Sequence, residues 1–188
     1  MTHALRRMAA VALMLLPVVA AAAVPTDSQV VRVQQLLGFD EAFALTMDEK
    51  FDRAPELSHY SSSERTCVSG LVRPAFAGAL NDAFRNLFGD GAVVEDWERF
   101  AQTPGGTRFM EFVRSGVVAT VRNQPRPEPE AFMQGMTPEQ LDEVSRFLAS
   151  PAAAVLKRDF PEVDLPQEQQ SALAAKVHSQ CGVELPKA

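Results

Sequence analysis

Cysteine, tryptophan, tyrosine and histidine are scarce in this chain, at two, one, one and three in 188 residues. Each shortage removes a class of chemistry. Cys67 and Cys181 stand far apart with no C-x-x-C spacing, too few soft ligands for a structural zinc site. Beyond the N-terminal segment only His59 and His178 remain, and neither belongs to an H-E-x-x-H pair. G-x-S-x-G is absent too. Past residue 23 no apolar run approaches the roughly 18 residues a membrane span needs, so stable membrane insertion is not expected. Blocks of about five or six like charges are also missing. With a net charge of -6 and no basic stripe, nucleic acid is a poor partner, because its phosphates demand clustered Lys and Arg. No catalytic residue, metal or cofactor is expected.

The one long apolar stretch opens the chain, "MTHALRRMAAVALMLLPVVAAAA". Arg6 and Arg7 precede an apolar run, Pro17 breaks it, and small residues follow to Ala23. This is the layout of a secretory signal peptide over residues 1–23, with cleavage after Ala21-x-Ala23 and export to the periplasm. Its removal takes away two arginines and no acids, so the mature charge becomes -8. The remainder, 24–188, suits a single domain. In an oxidising compartment the expected state of Cys67 and Cys181 is a disulfide. A redox thiol pair is the alternative, disfavoured because nothing adjacent would lower a thiol pKa.

Apolar residues recur at helical spacing nearly everywhere, and no stretch sustains the alternation of a strand. The clearest stripe runs through Val68, Leu71, Val72, Ala75, Phe76, Ala79, Leu80, Ala83, Phe84, Leu87 and Phe88, stopping at Gly89. Pro74 inside it predicts a kink or a helix start. Ser28 to Leu37 is a second helix, stopped by Gly38, and Asp40 can cap a third carrying Phe43, Met47 and Phe51. Further helices are expected around Trp97, over Phe109 to Val121, at Glu139 to Ala149, Ala152 to Arg158 and Gln167 to Gln180. The expected fold is all-α, an irregular bundle of about eight short helices. Pro125, Pro127 and Pro129 predict an extended connector near 123–130 between two halves.

One phrase occurs twice. "ERFAQTPGGTRFM" from Glu98 and "SRFLASPAAAVLK" from Ser145 align at an offset of 47, pairing Phe100 with Phe147, Thr103 with Ser150 and Pro104 with Pro151. Thr103 and Ser150 suit the N-cap, and the prolines suit the first helical position. Thr137 before Pro138 is a third such start, with Gln140 completing a capping box. The phrase predicts two related helix-bend-helix units, by duplication or by convergence on a capping rule.

The run "MTPEQLDEVSRFLASPAAAVLK" resembles the signature of the domain-of-unknown-function 2059 family of exported bacterial proteins, and "VVRVQQLLGFDEAF" is similar to the start of its members. The family's Tyr is replaced by Ala101 and Leu148; its late Gly is kept as Gly106 but becomes Ala153; its basic residue is Arg108 in one copy and Val155 in the other. The resemblance implies an all-helical periplasmic protein and no particular activity.

Gly105 and Gly106 at a helix start, with Arg99 and Arg108 nearby, could hold a carboxylate or phosphate. The alternatives are close helix packing at the glycines and an ion pair for Arg99. Acid pairs at Asp40-Glu41, Asp48-Glu49, Glu95-Asp96 and Asp142-Glu143 would serve a glycosidase only if two converged in a cleft. The expected function is non-enzymatic binding of a protein or of an apolar or anionic ligand in the periplasm. An immunity-type protein that neutralises a periplasm-targeted toxin is the first alternative, and a carboxylate-dependent envelope hydrolase the second.

Overall fold

The computed structural model describes residues 23–51, 53–160 and 163–185. Apart from Ala23, the signal peptide expected at residues 1–23 lies outside them. Among the described residues there are eight α-helices and no strand. The fold is all-α.

Helix α1 (Asp27–Leu37) starts at Thr26, whose hydroxyl accepts from the Gln29 amide while the Gln29 side chain accepts from the Thr26 amide. It stops at Gly38, at φ 79°, a left-handed conformation that glycine adopts without a Cβ penalty. Helix α2 (Phe39–Thr46) starts on the other side of the same glycine, so Gly38 is its N-cap. Asp40, expected as the cap, sits instead in the first turn, where its charge favours the helix dipole. A π-helical turn, Met47–Phe51, follows. The side chain of Phe51 lies outside the description.

Helix α3 (Ser62–Phe88) is 27 residues long and starts from a capping box of Ser61 and Glu64. The Ser61 hydroxyl, and then its amide, hold the Glu64 carboxyl below its usual range. Pro74 is neither a start nor a stop, for the helix runs through it. The carbonyl of Gly70 loses its helical partner there, and both residues lie on the exposed side, where water can replace the bond. Helices α4 (Gly91–Ala101), α5 (Pro104–Val121), α6 (Pro129–Gln134) and α7 (Pro138–Leu148) follow, then a 3-10 helix, Pro151–Lys157, and α8 (Gln167–Cys181). Helix α6 was not expected. It begins with the last proline of the connector and is held by Phe132 stacked 4.6 Å from Phe112.

The main core gathers α1, the second half of α3, α4, α5, α7 and the 3-10 helix. Trp97 is fully buried at its centre, edge-on to Phe88 and Phe147. Its indole N–H donates to the carbonyl of Ala152 at 3.0 Å. The two repeated phrases meet face to face here, with Phe100 and Phe147 stacked at 3.9 Å and 6°. Their second halves differ. Thr103 caps an α-helix, accepting from the Gly106 amide. Ser150, expected to do the same, makes no capping bond; its hydroxyl is buried without a partner, and a 3-10 helix follows in place of an α-helix. The tighter turn belongs to Ala152 and Ala153, both buried, the first of which turns its carbonyl to Trp97. Thr137 and Gln140 form the expected capping box.

A second, smaller cluster lies at the other end of α3. It joins Val68 and Val72 to Met47, Val177 of α8 and Val183. Cys67 and Cys181 are disulfide-bonded beside it, with Cα atoms 5.7 Å apart. The Tyr60 hydroxyl accepts from the Glu184 amide and donates to the Glu184 carbonyl, fixing the tail beyond the bridge. The division between cores therefore falls across α3 rather than at the proline connector.

Candidate functional site

The helix start singled out in the repeated phrase is already satisfied. The Gly105 amide donates to Glu143 Oε2 at 2.6 Å, and the Gly106 amide donates to Thr103 Oγ1 at 3.0 Å. Arg99 is largely exposed and pairs with Asp96 at 2.6 Å, while Arg108 donates to the carbonyl of Gly135 at 3.3 Å. The anion at this helix N-terminus is the chain's own carboxylate, so the expected anion site is corrected to an internal cap between α5 and α7. The glycines serve packing. A Cβ on Gly106 would sit 1.7 Å from the carbonyl oxygen of Phe100, the last turn of the preceding helix.

One acid or more of each pair is engaged, Asp96 by Arg99 as above. Glu41 meets Arg114 at 3.1 Å and Arg122 at 3.9 Å, Asp48 meets Arg73 at 2.5 Å, and Asp142 meets Arg146 at 3.0 Å. These are surface pairs of small energetic weight. His59 is exposed beside Tyr60, and the nearby Ser61 and Glu64 are occupied in capping α3. Among the described residues no group of three or more His, Cys, Asp or Glu side chains could hold a metal.

A different place stands out, on the middle turns of α3. Val68 and Val72 bury in the small cluster, and Leu80, Phe84, Leu87 and Phe88 bury in the main core. Between them Ala75, Phe76 and Ala79 remain only half-buried. The two cores do not close over this stretch. Opposite it stand Phe39, Phe43 and Met47 from α2 and its π-helical turn, and Val117 and Val121 from α5. With Phe160 and Val163 at one lip, they wall a groove of about 730 Å³. That volume falls within the roughly 300–1,000 Å³ of small-molecule sites. Phe160 stacks on Phe39 at 4.8 Å and keeps 39% of its surface exposed.

The groove has few polar groups, and their bonds are known. Thr46 returns its hydroxyl to the carbonyl of Ala42, and Thr120 returns its hydroxyl to the carbonyl of Gly116. Arg126 is the single charged residue among those lining it. Its position follows from the end of α5. Asn123 takes a left-handed conformation, φ 52°, and the Gln124 amide donates to the Ala119 carbonyl at 2.8 Å. The connector then turns back along the helix, and Arg126 Nε donates to Thr120 Oγ1 at 3.1 Å. Its terminal nitrogens meet no carboxylate among the described residues. On the far side of Arg126 a second hollow, about 780 Å³, shares Val117, Thr120 and Arg126 and carries Glu128 on its other wall.

The sequence puts Phe76 and Leu80 on the apolar stripe of one helix, Val117 in the helix over Phe109 to Val121, and Arg126 in an extended, solvated connector. The legible signal was an apolar stripe longer than one core can cover. No family model, curated protein or solved structure matches the chain.

Proposed function

We propose that this chain is an exported, non-enzymatic binding protein and that the groove between α2, α3 and α5 is its binding site. The observation that carries the reading is the open row of half-buried apolar side chains, Phe43, Phe76, Val117 and Val121, at the junction of two otherwise closed cores. Leaving such surface in water forgoes about 25 cal/mol of stabilisation per Å², which a bound apolar ligand would supply. The π-helical turn beginning at Met47 supports the reading, since such turns concentrate at functional sites. Export rests on the N-terminal leader, and the disulfide accords with an oxidising compartment. Kinship with the domain-of-unknown-function 2059 family is part of the same proposal and rests on the two stretches quoted above.

An envelope hydrolase has less support, because Glu41, Asp48, Asp96, Asp142 and Glu143 are drawn into ion pairs or a helix cap. The immunity-type reading draws on small size, acidity, export and the lack of a catalytic motif, and no feature of the groove adds to it. Titration with N-phenyl-1-naphthylamine, an uncharged dye that brightens in apolar surroundings, tests the groove. One molecule per chain is expected to bind saturably. Val117→Phe, which fills the space between α3 and α5, is expected to abolish binding; Leu148→Phe, on the exposed face of α7, should leave it unchanged. Absence of binding, or binding indifferent to Val117→Phe, overturns the reading.

A further inference from the structure

We propose that the groove takes an extended alkyl chain ending in a carboxylate, with the tail along α3 and the head at Arg126. The inference rests on the groove being the binding site and adds the chemical class of its ligand. Shape supplies the first half. Val72, Phe76 and Leu80 stand four residues apart on one face of α3, so the apolar floor runs along the helix axis for eight residues, about 12 Å. Phe43 of α2 and Val117 of α5 face it from the opposite wall. A trough of this form accepts a linear chain.

Charge supplies the second half. The protein is acidic, which disfavours anions over most of its surface. Among the described residues Arg126 is the one charged residue lining the groove, and of its guanidinium only Nε is engaged there, by Thr120, which leaves the terminal nitrogens to donate. A guanidinium fork matches the two oxygens of a carboxylate. Glu128, two residues on, belongs to the lining of the second hollow and not of this one. Nearby Arg122 and Arg114 are both drawn to Glu41, which leaves Arg126, among the described residues, as the cation at the rim.

The test is displacement of bound N-phenyl-1-naphthylamine by dodecanoate, dodecanol and dodecyltrimethylammonium at low salt. Dodecanoate is expected to displace the dye at a concentration about three- to tenfold lower than the cationic analogue, an advantage of the size a charge-assisted bond at an exposed site gives. Arg126→Gln is expected to remove that advantage, weakening dodecanoate more than dye or dodecanol, Arg126→Lys to keep part of it, and about 0.5 M salt to shrink it. Because Arg126 is exposed and makes one hydrogen bond, its replacement should leave the thermal midpoint in place. Equal displacement by dodecanoate and the cation, or an order unaltered by Arg126→Gln, overturns the carboxylate assignment while the apolar site stands. Failure of dye and all three amphiphiles to bind overturns both.

Discussion

Cys67→Ser and Cys181→Ser should each lower the unfolding free energy by about 3–5 kcal/mol, and the double replacement should lower it no further. The bond closes a loop with a sequence separation of 114. Releasing a loop of that size restores about 4–5 kcal/mol of chain entropy to the unfolded state. Either single replacement removes the same cross-link, so the effects cannot add. What the bridge holds is small. Among the described residues the cluster beside it has five buried side chains, Met47, Val68, Val72, Val177 and Val183, against eighteen in the main core. Hydrogen exchange should therefore show α8 losing protection before α4 and α7 in the serine variants. Urea denaturation of the three variants checks the free energies. Two reactive thiols in the native chain, or a double variant much weaker than either single one, would contradict the expectation.

Gly106→Ala should cost about 3 kcal/mol or more, although alanine is the better helix former by about 1 kcal/mol. The added methyl would lie 1.7 Å from the Phe100 carbonyl oxygen and 2.9 Å from the Thr103 hydroxyl. One is backbone, and the other is fixed by its bonds to the Phe100 carbonyl and the Gly106 amide. Relief would require α4 and α5 to separate at the bend, which pulls Phe100 from its stack on Phe147. Gly116→Ala is the control, because a methyl there meets nothing within 4 Å. It should stabilise α5 by about 0.5–1 kcal/mol. Thermal or urea denaturation separates the two, and equal behaviour would mean the bend is not the tight contact described.

Much of the helical framework was legible because the deciding interactions are local. Thr137 and Gln140 are three residues apart, and Gly38 stops its helix by its own backbone conformation. The errors came where a distant residue decides. Glu143, 38 residues along the chain, fills the place read as an anion site at Gly105. Trp97, 55 residues from Ala152, engages a carbonyl of the turn after Ser150, so one of two matching phrases continues as α-helix and the other as 3-10. The groove was illegible for a related reason. Spacing along α3 says which face is apolar, and the same spacing serves a residue covered by a core, such as Phe84, and one left half-open, such as Phe76. Arg126 read as one more charge in a proline-rich connector. Its place over Thr120 depends on the left-handed turn at Asn123.

Where a ligand sits can be read from the methyl groups. In a methyl-resolved NMR titration of the native chain with dodecanoate, the signals of Val72, Leu80, Val117 and Val121 should shift together and saturate. Those of Val30, Val33 and Val94, sealed in the main core, should stay in place. Saturable shifts confined to the core or to α8, or no shift at any groove methyl, would contradict the assignment of this groove as the binding site.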